Sequence, residues 1–318
     1  MEILKIIKQC KNKKALLFGI GGGGDIVGCV STANLLKEFD FKVFYGSIVW
    51  DRIVVDPKPG PRAIEELENV EVINSTVAFA NKDTKTYYGV KPTVARAANV
   101  FGSVVALDIT KGPKKLVDGI LKFTKQYEID LIIGMDSGGD SLCIGFESGV
   151  RSPLADSTCV ATLSMLKSKI KRSIIGVFGF GSDGELKVEE LLQNMSLLMK
   201  NGGFYGCISL GQEDYKLMLE LTKHVVTEAS MLPLKAYEGR LGLEKMRDGR
   251  TVLVTPISTL TFYFDSDEVF KLNRLAREVI DAENIEKANE KLNKLGIFTE
   301  LDYERLVSKF KPKNTKYV

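Results

Sequence analysis

Aspartates recur where apolar runs empty into glycines. Asp25 ends the run Gly19-Ile-Gly21-Gly-Gly-Gly24, Asp136 and Asp140 flank Ser137-Gly138-Gly139, and Asp183 follows Gly179-Phe-Gly181-Ser. Asp51 and Asp108 also stand just past apolar, strand-like segments. Carboxylates gathered at one place repel one another unless they share protons, face Lys or Arg, or hold a hard cation. Oxygen ligands without histidine suit Mg²⁺, Mn²⁺ or Ca²⁺ rather than zinc. On this reading Asp25, Asp136 and Asp140 hold Mg²⁺ or Mn²⁺. Asp156 or Glu147, in the polar stretch from Gly145 to Thr158, serves as base or as a further ligand, and Arg151 in the same stretch clamps a carboxylate or phosphate. Taken singly, each aspartate reads first as a turn residue or helix cap, and Asp156 also suits the positive end of the helix it begins.

The glycines carry a second line of chemistry. Gly19-Ile-Gly21-Gly-Gly-Gly24 satisfies G-x-G-x-x-G between an apolar strand, Ala15–Phe18, and a helical pattern from Ile26 to Phe39. Such a junction turns free backbone N–H groups and a helix N-terminus toward an anion. Gly21, Gly22, Gly23, Gly24, Gly138, Gly139, Gly181 and Asp183 are then the ligand-binding set, and Asp51 is the acidic residue that would meet a ribose, farther along than the usual ~20 residues. This gives an alternative function: binding of NAD or another nucleotide, without metal. Against it, Asp25 occupies the position of a pyrophosphate, and two anions coexist there only with a cation between them.

Composition narrows the classes. The chain has 318 residues, 44% hydrophobic and 27% charged, with a net charge of +3 from mixed signs. That balance fits a globular protein and argues for neither a nucleic-acid nor a membrane partner. No segment has the ~18 apolar residues of a membrane span. Five cysteines without metal-like spacing point to a reducing cytoplasm, where Cys29, Cys143 and Cys159 read as buried small hydrophobes. The abundance of Lys, Ile and Glu is the composition expected of a thermophile. The single histidine, His224, shares a helical face with Leu217, Leu221 and Val225 and reads as packing. The basic run from Lys309 to Lys316 reads as a solvated end.

The elements that must position these residues alternate. Strands are expected at 15–18, 42–50, 70–75, 103–109, 131–135 and 173–178, and helices at 26–39, 62–68, 113–127, 153–167 and 186–199. Residues 76–101 read as a long connection with a helix after Pro92. This alternation predicts an α/β fold: a doubly wound, mostly parallel Rossmann-like sheet over residues 1–210, whose strand ends share one rim. Residues 211–318 read as a C-terminal α+β extension beyond a soft boundary near Gly211. It contains helices at 213–230, 269–281, 285–295 and 301–310 and a strand pair within 251–264. Its helices also offer a homo-oligomer interface.

Four motifs resemble the prokaryotic domain-of-unknown-function family 1152: Gly21-Gly-Gly-Gly-Asp25-Ile-Val-Gly28, Asp136-Ser-Gly-Gly-Asp140-Ser-Leu142, Ser152-Pro-Leu-Ala-Asp156, and Gly179-Phe-Gly-Ser-Asp183-Gly-Glu185. The resemblance runs over most of the chain and implies an α/β fold. More weakly, Gly134-Met-Asp-Ser-Gly-Gly-Asp140 is similar to the Gly-Asp-Gly-Gly-Asn-Glu motif of the D-glutamate cyclase family, which implies a divalent metal. Here Ser137 intervenes and Asp140-Ser141 replaces Asn-Glu. The expectation for function is a metal-dependent enzyme of hydrolase or lyase type. It acts on a small phosphorylated or carboxylated metabolite at the C-terminal edge of the sheet.

Overall fold

A computed structural model of the chain describes residues 1–246 and 249–310. Most of the basic tail, from Lys311 on, lies outside the described residues. From the N-terminus, α1 (Glu2–Lys8) leads to β1 (Lys14–Gly19), α2 (Cys29–Lys37), β2 (Lys42–Ile48), a hairpin of β3 (Leu67–Asn74) and β4 (Val77–Thr86), α3 (Thr93–Phe101), β5 (Val104–Leu107) and α4 (Gly112–Tyr127). Then come β6 (Leu131–Ser137), α5 (Pro153–Ile170), β7 (Ser173–Phe178), α6 (Val188–Lys200) and β8 (Phe204–Ser209). The remainder holds α7 (Gln212–Thr222), α8 (Met231–Tyr237), a hairpin of β9 (Gly242–Lys245) and β10 (Thr251–Val254), β11 (Leu260–Asp265), α9 (Ser266–Leu272), α10 (Arg274–Val279), α11 (Ile285–Lys294) and α12 (Glu300–Phe310).

Nine strands form one sheet in the order β3-β4-β5-β2-β1-β6-β7-β11-β8. Its middle, β5-β2-β1-β6-β7, is parallel throughout. The chain lays β2 on one side of β1 and β6 on the other, so connections leave the C-terminal ends of β1 and β6 in opposite directions. A crevice opens at such a point. The fold is therefore the mostly parallel, Rossmann-like α/β sheet that the alternation predicts.

β1 and β6 read as apolar runs because helices cover both faces of the sheet. Leu16 and Phe18 enter a core with Leu116 and Ile120 of α4, Val160 and Leu163 of α5, and residues of α10 and α11. Their neighbours Ala15 and Leu17 point the other way, into a core with Ile3 and Ile7 of α1, Val30 of α2, Val94 of α3 and Met218 of α7. α4 shows the local logic well: Pro113 sits in its first turn, and Glu128 ends it in a left-handed conformation at φ 56°.

Several elements differ from expectation. Residues 76–101 include β4, which pairs antiparallel with both β3 and β5, so the expected third strand is the outer edge of a hairpin. Residues 62–68 form only a single 3-10 turn, Ile64–Glu66, before β3 begins. The helix expected over 213–230 stops at Thr222, because Val225, Val226 and Thr227 bring consecutive β-branched side chains. The helix expected over 269–281 breaks at Asn273, whose side chain accepts the Ala276 N–H at 2.9 Å and so starts α10. Strands β10 and β11 do not pair with each other. β10 joins β9, while β11 runs antiparallel to both β7 and β8 and fills the place between them. The Asp265 side chain caps α9 by accepting the Asp267 and Glu268 N–H groups. Among the described residues no helix is long and apolar enough to cross a membrane.

Candidate functional site

The crevice holds a cavity of about 160 Å³. One wall is the glycine loop, Gly21–Gly24 with Asp25; the opposite wall is Asp136, Ser137 and Asp140 after β6, with Asp183 and Glu185 after β7. The sequence separates these segments by more than a hundred positions, and the parallel sheet brings them together. Thr227 and Glu228, in the segment where a helix was expected, and Met246 and Arg250, beside the β9–β10 hairpin, close the mouth.

Each carboxylate is held by bonds from the loops around it. The Asp25 Oδ2 accepts the Gly21 N–H at 2.7 Å, folding the acid back on its loop. Asp136 Oδ2 accepts the Ser141 N–H at 3.1 Å and its hydroxyl at 2.5 Å. Asp140 Oδ2 accepts the Ser152 hydroxyl at 3.1 Å, while the Asp140 N–H donates to Asp183 Oδ2 at 3.2 Å. Asp183 can come this close only because residue 138 is glycine: a Cβ there would stand 2.0 Å from Asp183 Oδ2, and φ is +126°. Gly138 and Gly181 are bound to each other, the Gly181 N–H donating to Gly138 O at 2.7 Å. Asp136, Asp140 and Asp183 each offer an oxygen within 4.8 Å of the others, and all three are buried. That is the spacing of a hard-cation site.

The charge balance is lopsided. Among the described residues lining the cavity there are seven carboxylates against two guanidiniums, those of Arg52 and Arg250. Burial, then the field of neighbouring acids, holds Asp25, Asp140, Asp156 and Asp183 well above the usual carboxylate range. Asp136 is pushed up to about 6, mainly by burial, although its bonds from Ser141 oppose the shift. Burial and mutual repulsion both favour the protonated form of these groups. Cys29, Cys143 and Cys159 are buried as well, and burial holds them as neutral thiols.

The structure does not bring every expected residue to the cavity. Glu147 accepts the N–H groups of Ile144, Gly145 and Phe146 and the Asn194 amide, all at 2.8–3.0 Å, and these bonds hold its carboxyl below its usual range despite burial. The Arg151 side chain is exposed, and Gly139 packs against Leu191. Asp51 does line the cavity, but its carboxylate is held by the Thr93 N–H at 2.9 Å and by the Thr93 hydroxyl. In the glycine loop, the Gly21 N–H goes to Asp25, and the Gly23 N–H donates to Trp50 O at 3.0 Å. A 3-10 turn, Gly23–Gly28, rather than the helix itself, follows the loop. Asp108 closes its own turn through Thr110, away from the cavity. His224 lies in the turn after α7 and is half-buried.

Three residues enter that the sequence reading missed. Arg52 donates from Nη2 to Gly21 O at 2.8 Å, and Glu300 and Glu304 of α12 outweigh the effect of burial on its charge. Glu185 accepts the Ser152 N–H at 3.0 Å and Arg250 Nη1 at 3.2 Å, tying the α5 entry to the mouth of the cavity. Glu300 accepts the N–H groups of Leu154 and Ala155 at 3.1 and 2.8 Å and so caps α5. Arg52 follows Asp51 directly and Glu185 ends the motif that contains Asp183, which are the local signals available; the partners of Glu300 lie 146 and 145 positions away and leave none.

Fold and site together define a Rossmann-like α/β protein with an acidic cavity at the switch point of its sheet. The chain belongs to the family described as "Protein of unknown function (DUF1152)", which matches residues 16–308. No curated protein and no solved structure matches it.

Proposed function

We propose that the cavity binds Mg²⁺ or Mn²⁺ and that the protein is a metal-dependent enzyme of hydrolase or lyase type. Its substrate is a small phosphorylated or carboxylated metabolite. The observation that carries this reading is the convergence of Asp136, Asp140 and Asp183 at the switch point, each buried and each offering an oxygen within 4.8 Å of the others. A hard cation there relieves the mutual repulsion of the acids and polarises a bound carbonyl or phosphoryl oxygen. Arg52 and Arg250, on the cavity wall, supply the charge that receives an anionic substrate. The cavity volume of about 160 Å³ favours a small molecule. Asp156 is the acid available as base or as a further ligand.

The test is thermal denaturation of metal-stripped protein against divalent ions and nucleotides. At 100 times its dissociation constant, Mn²⁺ or Mg²⁺ is expected to stabilise by roughly 2.7 kcal/mol. A shift with NAD or ATP alone and none with any metal replaces this reading with nucleotide binding through the glycine loop.

A further inference from the structure

We infer that the protein takes two divalent cations, the second held by Asp25 and Asp156 beside the glycine loop. This rests on the cation reading above. The independent observation is Asp156. Its side chain is 2% exposed, and neither carboxylate oxygen has a hydrogen-bond partner among the described residues. The helix it begins does not satisfy it, because Glu300 takes the Leu154 and Ala155 N–H groups at the start of α5. A carboxylate buried without donors is costly and persists only with a compensating charge or proton.

The direction of Asp156 identifies that charge. A Cβ on Gly21 would stand 3.0 and 3.1 Å from the two Asp156 oxygens and 2.9 Å from Asp25 Oδ2. Both acids therefore bear on the same edge of the glycine loop, with Asp25, but not Asp156, lining the cavity.

The experiment uses the metal-stripped full chain and Mn²⁺ alone, with bound ions counted by equilibrium dialysis and their coupling read by electron paramagnetic resonance. Wild type is expected to bind two ions per chain and to show the exchange-coupled spectrum of neighbouring Mn²⁺. Asp156→Asn is expected to bind one ion with the spectrum of an isolated Mn²⁺. A single uncoupled ion in wild type, or two ions retained by a folded Asp156→Asn, overturns the second site and leaves the first standing. No bound Mn²⁺ in wild type overturns both. The wild-type spectrum decides the matter by itself if the variant does not fold.

Discussion

Asp108 and Asp156 are buried almost equally, 0% and 2% exposed, yet their surroundings are opposite. Asp108 receives the Thr110 N–H and hydroxyl, the Ile64 N–H at 3.2 Å and Lys111 Nζ at 3.4 Å. Asp56 is similar, with Arg62 Nε and the Tyr88 hydroxyl each at 2.7 Å and the Lys58 N–H at 3.0 Å. Asp156 receives no hydrogen bond among the described residues, and the charges acting on it are those of neighbouring acids and of Arg52. Burial alone does not separate a structural carboxylate from one kept for a ligand; the supply of donors does. The two groups should therefore respond differently to mutation, metal and pH.

The largest effect is expected from the satisfied group. Asp56→Ala leaves Arg62, whose side chain is 3% exposed, buried without its charge partner. The expected loss is roughly 3–5 kcal/mol in urea melts, the same with and without Mn²⁺. A loss that varied with Mn²⁺ would erase the distinction between the two groups.

Next comes Asp140→Asn, in the unsatisfied group. Wild type at 100 times its Mn²⁺ dissociation constant gains roughly 2.7 kcal/mol, and the variant should gain far less. Without metal the variant should melt slightly higher than wild type, since Asp156 and Glu185 repel the native carboxylate. Equal metal responses in the two proteins would remove Asp140 from the site.

The pH dependence sharpens the same contrast. Asp136 rises from 3.8 to about 6 in the folded state, so the folded chain holds that proton more tightly than the unfolded chain. The stability it contributes is complete below its unfolded value and is lost as pH rises through about 6. Asp25, Asp140, Asp156 and Asp183 shift in the same direction. Metal-stripped protein is expected to lose on the order of 1 kcal/mol through Asp136 alone between about pH 5 and pH 7.5, and saturating Mn²⁺ should close the gap. Stability that rises over this range would mean that the acids are already paired. The smallest effect is expected from His224→Gln: within about 0.5 kcal/mol, as for a surface position, with Mn²⁺ binding unchanged. Loss of Mn²⁺ binding in that variant would place His224 at the site.

The parts of the fold legible in the sequence are those set by local covering. β1, β6 and β7 show as apolar runs because they lie between two layers of helices. β4 does not, since Asn81, Lys82 and Asp83 face solvent and read as loop. The place of β11 depends on partners, Ile174–Phe178 and Phe204–Ser209, that no local pattern names. The site divides the same way. Glycine within two positions of aspartate marks Asp25, Asp136, Asp140 and Asp183, and the shared rim of a parallel sheet brings them together. Glu147 carries the same chemistry but turns it on the backbone of its own loop. Only the distribution of donors in space tells the two apart.

The cap that Glu300 provides to α5 also has a consequence for the order of synthesis. Leu154 leaves the ribosome 146 residues before the glutamate that will hold its N–H. At about 5–20 residues per second this is a delay of roughly 7–30 s. Throughout that interval the start of α5, with Asp156 in its first turn, lacks the cap. The nascent chain thus carries most of the acids of the cavity well before it can hold them in place, and a growing polypeptide should bind the proposed cation more weakly than the finished one.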